Sequence, residues 1–447
     1  MNASPKERSD ARGRRRLWAS DLPPPSTRAI QIASQSRRNR ASRPYSSLES
    51  ACARRLSIRS SEMSAAPPRT VKHLGVNAVF LQPRMGGLET YVRELLPAIL
   101  ELRPDLRVSL FVTNTGRRAL ADESWATSVE LVTHPLVGIP YGRAAAELTI
   151  VGTLANRRGV EVFHSVALTA PLHVRAASVI TIADVTWLRE PETVGPVTAL
   201  LWRRIVSTVA RRADRVITLS QDARREILED LPVRAGKVDV VPCGSGSRIS
   251  ANVSEEHDLR GRLGLGKRRV VLAVSALSRH KNLPPLVRAL PWVREVHPDV
   301  VLVIPGNPTK HGSELEALAR DLGVSETMRL PGWVDEPDLE GLYRMASCFV
   351  FPSRREGFGM PILEAMARGV PVACSNVSAV PEVAGDAALY FTPERPDEIA
   401  QAIQRLLGDA KLAAELAERG RERQRMFTWS RAAEETLAVY EHALNGS

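Results

Sequence analysis

The sequence predicts an α/β protein with two doubly wound parallel-sheet domains in series, facing each other across a cleft. From residue 71 onward, short β-branched runs alternate with amphipathic stretches, a pattern typical of parallel sheets covered by helices. The alternation is interrupted once, at the small polar segment 242–247, and then restarts, which indicates a hinge between two similar domains. No apolar run approaches the roughly 20 residues that cross a bilayer, which argues against an integral membrane protein.

The first half of the chain supplies six expected strands, separated by helices such as 88–102 and 197–213. Ser220 follows one strand and precedes the amphipathic stretch 222–231, so we expect it to cap that helix. The expected strands lie near 73–81, 107–113, 160–165, 178–183, 215–219 and 238–242. Residues 71–245 are therefore predicted to form the N-terminal domain.

The second half repeats the alternation, and residues 246–428 are predicted to form the C-terminal domain. Strands are expected at 269–276, 300–305, 348–352 and 370–374, with helices near 284–297, 313–322, 338–346 and 361–368. No strand follows the amphipathic stretch 429–444, so we expect residues 429–447 to form a helix that docks back across the hinge.

Residues 1–70 form a basic tail that differs from the rest of the chain. The first 62 residues hold 14 Lys and Arg against five Asp and Glu, which accounts for +9 of the net charge of +11. Rich in Arg, Ser and Pro, this tail is expected to be disordered. It could bind anionic lipid or nucleic acid, although it lacks the aromatic platforms of single-strand binders. Alternatively it does nothing specific, and translation starts at Met63.

The four cysteines stand alone along the sequence, with no C-x-x-C spacing. This spacing argues against a zinc ribbon or a redox pair and favours a reducing compartment. We therefore expect a cytoplasmic protein.

The segment 348–372 has the composition of an anion-binding loop between a strand and a helix. The strand at 348–352 runs into a loop whose Gly357 and Gly359 let backbone amides approach a ligand closely. Pro361 suits the start of the next helix, and Gly369 suits the position just after its end. The helix N-terminus would face the crevice at the strand end, and a diphosphate is the natural ligand for such a site.

Glu356 lies in this loop and Glu364 lies in the helix that follows. Carboxylates at these places can accept hydrogen bonds from sugar or ribose hydroxyls. The alternative is an ordinary capped helix whose glutamates are solvated or paired with cations. The whole strand, glycine loop, proline and helix around both glutamates favours the ligand site.

This segment resembles the family-4 retaining glycosyltransferases of the GT-B fold, which carry a Glu-x7-Glu motif in the same setting. Three further blocks resemble the family and stand in the family's order: 330–334, 342–346 and 380–388. The resemblance covers roughly residues 72–445. It implies two Rossmann-like domains, a nucleotide diphosphate sugar as donor, and no metal or other cofactor.

The resemblance implies a role for each residue of the motif segment. Glu356 would contact the donor sugar near the reacting carbon, as the catalytic carboxylate, and Glu364 would hold the ribose. The backbone amides of Phe358, Gly359 and Met360 would touch the sugar and the diphosphate.

The resemblance also implies donor contacts elsewhere in the C-terminal domain. Lys281 and Arg279 would bind the diphosphate, Val334 would meet the nucleobase, and Gly306 would lie close to the donor. Many relatives have Gly-Arg where this chain has Ser275-Ala276, so the diphosphate site departs from the usual pattern there.

On the acceptor side, Gly86 and Gly87 resemble the glycine loop that closes over the donor phosphates. His164 matches a strand-end histidine that relatives place near the donor sugar, so it is the second catalytic candidate; a satisfied strand-end histidine is the alternative. Asp184 matches a block that is often His-Asp, and the histidine of that block is Ala183 here.

The predicted activity is transfer of mannose or a related hexose to an acceptor hydroxyl with retention at the anomeric carbon, in envelope polysaccharide or glycoconjugate synthesis. The acceptor would be a glycan, a lipid-linked saccharide or a small molecule. The resemblance also implies peripheral membrane contact, at the inner face of the plasma membrane; nucleic acid is not an expected partner. Two alternatives stay open: a non-catalytic protein that binds nucleotide sugars, and another enzyme of the GT-B fold, such as a phosphorylase or an epimerase.

Overall fold

Two parallel β-sheets follow one another along the chain. The computed structural model describes residues 69–138, 143–245 and 252–446. The first sheet contains β1 (His73–Asn77), β2 (Arg107–Phe111), β3 (Glu130–Val132), β4 (Val162–Ser165), β5 (Ala177–Thr181), β6 (Arg215–Thr218) and β7 (Val238–Val240). The second contains β8 (Arg269–Leu272), β9 (Val300–Pro305), β10 (Met328–Gly332), β11 (Ala346–Phe351), β12 (Val372–Ser375) and β13 (Ala388–Phe391).

Helices connect the strands of each sheet. In the first half they are α1 (Gly87–Leu102), α2 (Asn114–Ala119), α3 (Arg143–Ala146), α4 (Gly152–Arg158), α5 (Thr186–Arg189), α6 (Pro196–Arg212) and α7 (Gln221–Asp230). In the second half they are α8 (Glu256–Arg262), α9 (Leu283–Val296), α10 (Lys310–Asp321), α11 (Glu336–Met345), α12 (Met360–Ala367), α13 (Val380–Ala384), α14 (Pro396–Gly408), α15 (Ala410–Gln424) and α16 (Trp429–Gly446).

Both sheets are doubly wound. The strand order is β3-β2-β1-β4-β5-β6-β7 in the first sheet and β10-β9-β8-β11-β12-β13 in the second. In each sheet the chain starts in the middle, winds to one edge and returns to wind towards the other. The strand order therefore reverses between β1 and β4 and between β8 and β11, and open α/β sheets bind ligands at such points. The predicted fold class is confirmed.

The central strands are buried on both faces because helices cover both sides of each sheet. All six residues of β9 are buried, and its sequence reads as an unbroken apolar run. At the N-terminus of α7, the Ser220 hydroxyl accepts a hydrogen bond from the Ala223 amide at 3.0 Å, which confirms the predicted cap.

The C-terminal helix α16 packs against α1 and against strands of the first sheet. The ring of Trp429 meets that of Tyr91 edge-on, with centroids 5.9 Å apart. At the far end of α16, Asn445 exchanges hydrogen bonds with the backbone of Arg69. The final helix thus returns to the domain where the chain began.

Both sheets belong to the same compact unit of the chain. The predicted tail lies almost entirely outside the described residues, as do residues 246 and 247 of the predicted hinge, and the predicted domain boundaries stay predictions. Within the described ranges, no helix has both the length and the apolar character that a membrane span needs.

Candidate functional site

The loop between β11 and α12 brings the start of a helix to the carboxyl edge of the second sheet. Gly359 caps α12 with φ of 111°, a backbone conformation that residues other than glycine rarely adopt. Pro361 lies in the first turn, where its missing N–H leaves no helical hydrogen bond unmade. The free amides of that turn and the helix dipole make this end of α12 favourable for negative charge.

Lys281 and Glu356, predicted separately from the sequence, meet beside this loop. The Nζ atom of Lys281 lies 2.7 Å from Oε1 of Glu356, and both side chains are largely shielded from solvent. The same ammonium group lies 5.9 Å from the centre of the Phe351 ring at the end of β11. The structure therefore places a cation and a carboxylate together where the sequence predicted a diphosphate next to a sugar.

Glu364 is held by a buried network within the second domain. The Tyr343 hydroxyl donates to Oε2 of Glu364 at 2.8 Å. Burial, reinforced by the neighbouring Glu364 carboxylate, raises the pKa of Tyr343 well above its usual range, so the hydroxyl keeps its proton. Arg368 lies over the Tyr343 ring at 4.9 Å and pairs with Glu340 at 2.7 Å.

The loop also contacts the first domain directly. A Cβ atom on Gly357 would lie 2.3 Å from the carbonyl oxygen of Ala183, so only glycine fits there. A Cβ atom on Gly87 would lie 2.9 Å from the Met360 side chain, which places the predicted glycine loop against the start of α12. The two predicted halves of the site therefore meet.

Charged side chains next to the motif connect the two domains. Arg355 pairs with Glu226 of α7 and lies 3.6 Å from Glu190. Glu226 is buried, and this burial raises its pKa although Arg355 and Arg189 favour the charged form. Two arginines thus offset part of the free energy that burying this carboxylate costs.

Glu382, at the start of α13, closes the N-terminus of a helix in the other domain. Its carboxylate accepts hydrogen bonds from the backbone amides of Gln221 at 2.8 Å and Asp222 at 2.6 Å, in the first turn of α7. A carboxylate at this place satisfies two amides that lack helical partners and complements the helix dipole.

The remaining predicted donor residues have more varied surroundings. Gly306 follows β9, and a Cβ atom there would lie 1.9 Å from the Ser275 carbonyl oxygen, so the two strand ends pack closely. Arg279 is exposed and pairs with Glu314 at 3.3 Å. Phe358 is buried with its ring edge-on to Phe427, while its backbone lies in the motif loop.

Val334 and Asp184 complete the predicted site. Val334 is half-buried in the loop after β10. Asp184 follows β5 and accepts a hydrogen bond from the Thr186 amide at 2.8 Å, which gives it a local turn-forming contact. Its neighbour Ala183 is the residue that touches the motif loop.

His164 is buried inside the first domain, with only 1% of its surface exposed. Its Nδ1 lies 2.7 Å from the Tyr440 hydroxyl of α16, and its Nε2 lies 2.7 Å from the Thr181 hydroxyl. Burial lowers its pKa to about 3, so the ring is neutral at physiological pH. These contacts favour the alternative of a satisfied structural histidine, and its catalytic role stays a prediction.

Sequence reasoning missed four residues that hold the site together. They are Tyr343, Glu382, Arg355 and Ser378, whose hydroxyl accepts a hydrogen bond from the Glu356 amide at 3.1 Å. Tyr343 and Glu382 lie inside blocks that resemble the family, so their positions were visible but their partners were not. Ser378 and Arg355 gave no signal of their own.

Among the described residues, no group of three or more His, Cys, Asp or Glu side chains is arranged to hold a metal ion. The expectation of a metal-free site stays a prediction.

Comparison with known proteins identifies both halves of the chain. A family model described as glycosyltransferase family 4 matches residues 85–245. A second, described as glycosyl transferases group 1, matches residues 256–423, which include the motif loop.

Two curated relatives are mannosyltransferases. The MMP alpha-(1->4)-mannosyltransferase of Mycolicibacterium hassiacum is 31% identical over 245 residues, covering 53% of this chain and 56% of that protein. The O-antigen chain mannosyltransferase B of Escherichia coli is 30% identical over 230 residues, covering 51% of this chain and 60% of that protein. The matches therefore span less than two thirds of either relative.

Two solved structures share the fold across nearly all of their length. Sucrose-phosphate synthase from Thermosynechococcus elongatus has a TM-score of 0.68 at 22% identity, with 84% of this chain and 100% of that chain covered. Anabaena HepE in complex with UDP-glucose has a TM-score of 0.64 at 21% identity, with 82% and 98% covered. These two structures show the shared fold, and the two family models, which together match most of the chain, show that it belongs to the glycosyltransferases that they describe.

Proposed function

We propose that this protein transfers a hexose, with mannose as the first candidate, from a nucleotide diphosphate sugar to an acceptor hydroxyl. The observation that carries the proposal is the pair of Lys281 and Glu356, 2.7 Å apart beside the N-terminus of α12. Mannose is favoured because both relatives described above are named mannosyltransferases. A nucleotide diphosphate donor is favoured because the HepE structure contains UDP-glucose.

The chemistry needs stabilisation of two opposite charges that develop as the bond from sugar to phosphate breaks. The leaving diphosphate gains negative charge, which Lys281 and the N-terminus of α12 would stabilise electrostatically. The sugar gains positive charge at its anomeric carbon, and Glu356 supplies a carboxylate beside it. We propose retention of the anomeric configuration, with the departing phosphate helping to take the acceptor's proton.

The test is thermal unfolding of the full chain with GDP-mannose, UDP-glucose, dTDP-glucose and ADP-glucose, in the absence of metal. A ligand at about 100 times its dissociation constant should add roughly 2.7 kcal/mol to the free energy of unfolding. Glu356→Ala should lose most of the melting shift that a sugar nucleotide produces beyond that of the nucleotide alone. Glu295→Ala is the matched control, because Glu295 is exposed near the far end of α9.

Turnover separates the proposal from its alternatives. Release of nucleoside diphosphate together with an α-linked product from an α-linked donor would support retaining transfer. A melting shift without turnover would favour the non-catalytic sugar-nucleotide binder. No shift with any donor would contradict the proposal as a whole.

Peripheral membrane contact is also a proposal, and the surface of α6 favours it. Val197 is 80% exposed and Leu200 and Leu201 are each 56% exposed, one turn apart on the same face. Arg203 and Arg204 follow them, and α6 contains no acidic residue. Apolar side chains beside arginines suit an anionic lipid surface. Leu200→Asp should weaken sedimentation with anionic vesicles, and unchanged sedimentation would contradict the proposed membrane contact.

The predicted cytoplasmic location stays a prediction.

A further inference from the structure

Ser378 has a backbone conformation that is unusual for a residue with a side chain. It lies between β12 and α13 with φ of 59°, in the left-handed region that favours glycine. Outside glycine, this conformation costs free energy and persists only where the surroundings compensate. The contacts of the side chain therefore show why the chain has serine at this position.

The Ser378 hydroxyl connects the motif loop to the opposite domain. It accepts a hydrogen bond from the Glu356 amide at 3.1 Å and lies 2.9 Å from the Glu356 carbonyl oxygen. It also lies 3.2 Å from Oδ2 of Asp222, in the first turn of α7. One hydroxyl thus fixes both backbone groups of the motif glutamate and touches a buried carboxylate of the first domain.

The segment that carries Ser378 is itself fixed to α7. Glu382, four residues further on, accepts hydrogen bonds from the amides of Gln221 and Asp222. Ser378 is therefore held at a defined distance from the first turn of α7. The backbone of Glu356 takes its position from that arrangement.

We propose that Ser378 is a positioning residue for Glu356. Its hydroxyl fixes the backbone of the motif glutamate and thereby directs the carboxylate towards the donor sugar while α7 is in contact with the loop. This inference rests on the proposed function and assigns a residue to the part of the site that handles the sugar. The nucleotide does not depend on Ser378, because Glu364 is held separately by Tyr343.

Two substitutions at Ser378 separate positioning from simple stability. Ser378→Ala removes the hydroxyl and keeps the strained backbone. Ser378→Gly removes the hydroxyl and relieves the strain, so its melting temperature should equal or exceed that of Ser378→Ala. Ser375→Ala is the matched control, because the Ser375 hydroxyl is also buried nearby but makes no hydrogen bond.

The experiment measures the affinity of the full chain for GDP-mannose and GDP, and for UDP-glucose and UDP, together with donor turnover. Both Ser378 variants should lower kcat by about tenfold or more while the affinity for GDP or UDP alone stays within about twofold of the wild type. The difference in affinity between the sugar nucleotide and the corresponding nucleoside diphosphate should become smaller in both variants. Ser375→Ala should behave as the wild type.

Three results would overturn the inference. The first is a kcat within about twofold of the wild type in both Ser378 variants. The second is recovery of full turnover in Ser378→Gly, since that would attribute the defect of Ser378→Ala to strain alone. The third is an equal loss of affinity for GDP or UDP and for the sugar nucleotide. If the wild type binds none of the donors, the proposed function fails first, and this inference fails with it.

Discussion

Tyr343→Phe provides a specific test of how the second motif glutamate is held. The substitution deletes one hydroxyl, which donates to Oε2 of Glu364 at 2.8 Å. The ring of Tyr343 is 1% exposed, and Arg368 lies 4.9 Å from its centre. Phenylalanine keeps that packing and most of the contact with the arginine, so the change isolates the hydrogen bond.

The expected size of the effect of Tyr343→Phe follows from the charge of Glu364 and from the burial of both side chains. A hydrogen bond to a charged group contributes roughly 1.5–3 kcal/mol. Glu364 is only half-buried, so water replaces part of the lost interaction. We therefore expect Tyr343→Phe to reduce the free energy that favours the observed orientation of Glu364 by about 1–2 kcal/mol. This corresponds to a factor of about 5–30 in any affinity that depends on that orientation.

The assay compares binding of GDP and 2′,3′-dideoxy-GDP, or the corresponding uridine pair, by isothermal titration calorimetry. If Glu364 holds the ribose, the wild type should bind the dideoxy nucleotide more weakly, and Tyr343→Phe should reduce that difference. Tyr390→Phe is the matched control, because its hydroxyl donates to the Gly385 carbonyl on the surface. Full ribose discrimination in Tyr343→Phe would refute the assignment of Tyr343 as the residue that orients Glu364.

Four further expectations follow from the buried charges and the site. Arg368→Met should lower the free energy of unfolding by up to about 3–5 kcal/mol in urea, because it leaves the buried Glu340 carboxylate with only the half-exposed Arg344 as its ion-pair partner; a loss below about 1 kcal/mol would contradict the buried-pair argument. The pKa of His164 is about 3 in the folded protein and near 6.5 in the unfolded chain, so the unfolded chain takes up the proton first as the pH falls. Stability should therefore fall below pH ~6.5 by at most ~1.4 kcal/mol per pH unit from this group, and His164→Gln should show a shallower decline. Glu382→Gln should cost about 1 kcal/mol in thermal unfolding through the lost charge at α7, and an effect unchanged by high salt would count against the dipole contribution. EDTA should leave donor turnover unaltered, whereas a loss restored by Mg²⁺ would overturn the expected metal independence.

The alternation of apolar strands and amphipathic helices was enough to predict both sheets, but three strands were missed. These are β3, β10 and β13, and each lies at an edge of its sheet. Strands β3 and β13 have only three and four residues, so the apolar pattern of each is short. Strand β10 also contains Pro331 and Gly332, which normally argue against a strand and are tolerated at an edge.

The candidate site, like the fold, could be predicted only in part. The loop around Glu356 could be predicted because its glycines, its proline and its helix are close together in the sequence, and the resemblance supplied Lys281 as its partner. The contacts of Ser378 and Glu382 with α7 could not be predicted from the sequence. They depend on how two separately folded sheets dock, and local pattern carries no information about that arrangement.

The two motif glutamates, eight residues apart, are held in different ways. Glu364 depends on Tyr343 and Arg368, which belong to its own domain and are buried there. The backbone of Glu356 depends on Ser378, which also contacts Asp222 of the opposite domain. The ribose end of the predicted donor site is therefore built by one domain alone, whereas the sugar end also contacts the opposite domain through Ser378. Such a division would let a nucleotide bind before the domains close and would confine the reactive geometry to the closed arrangement.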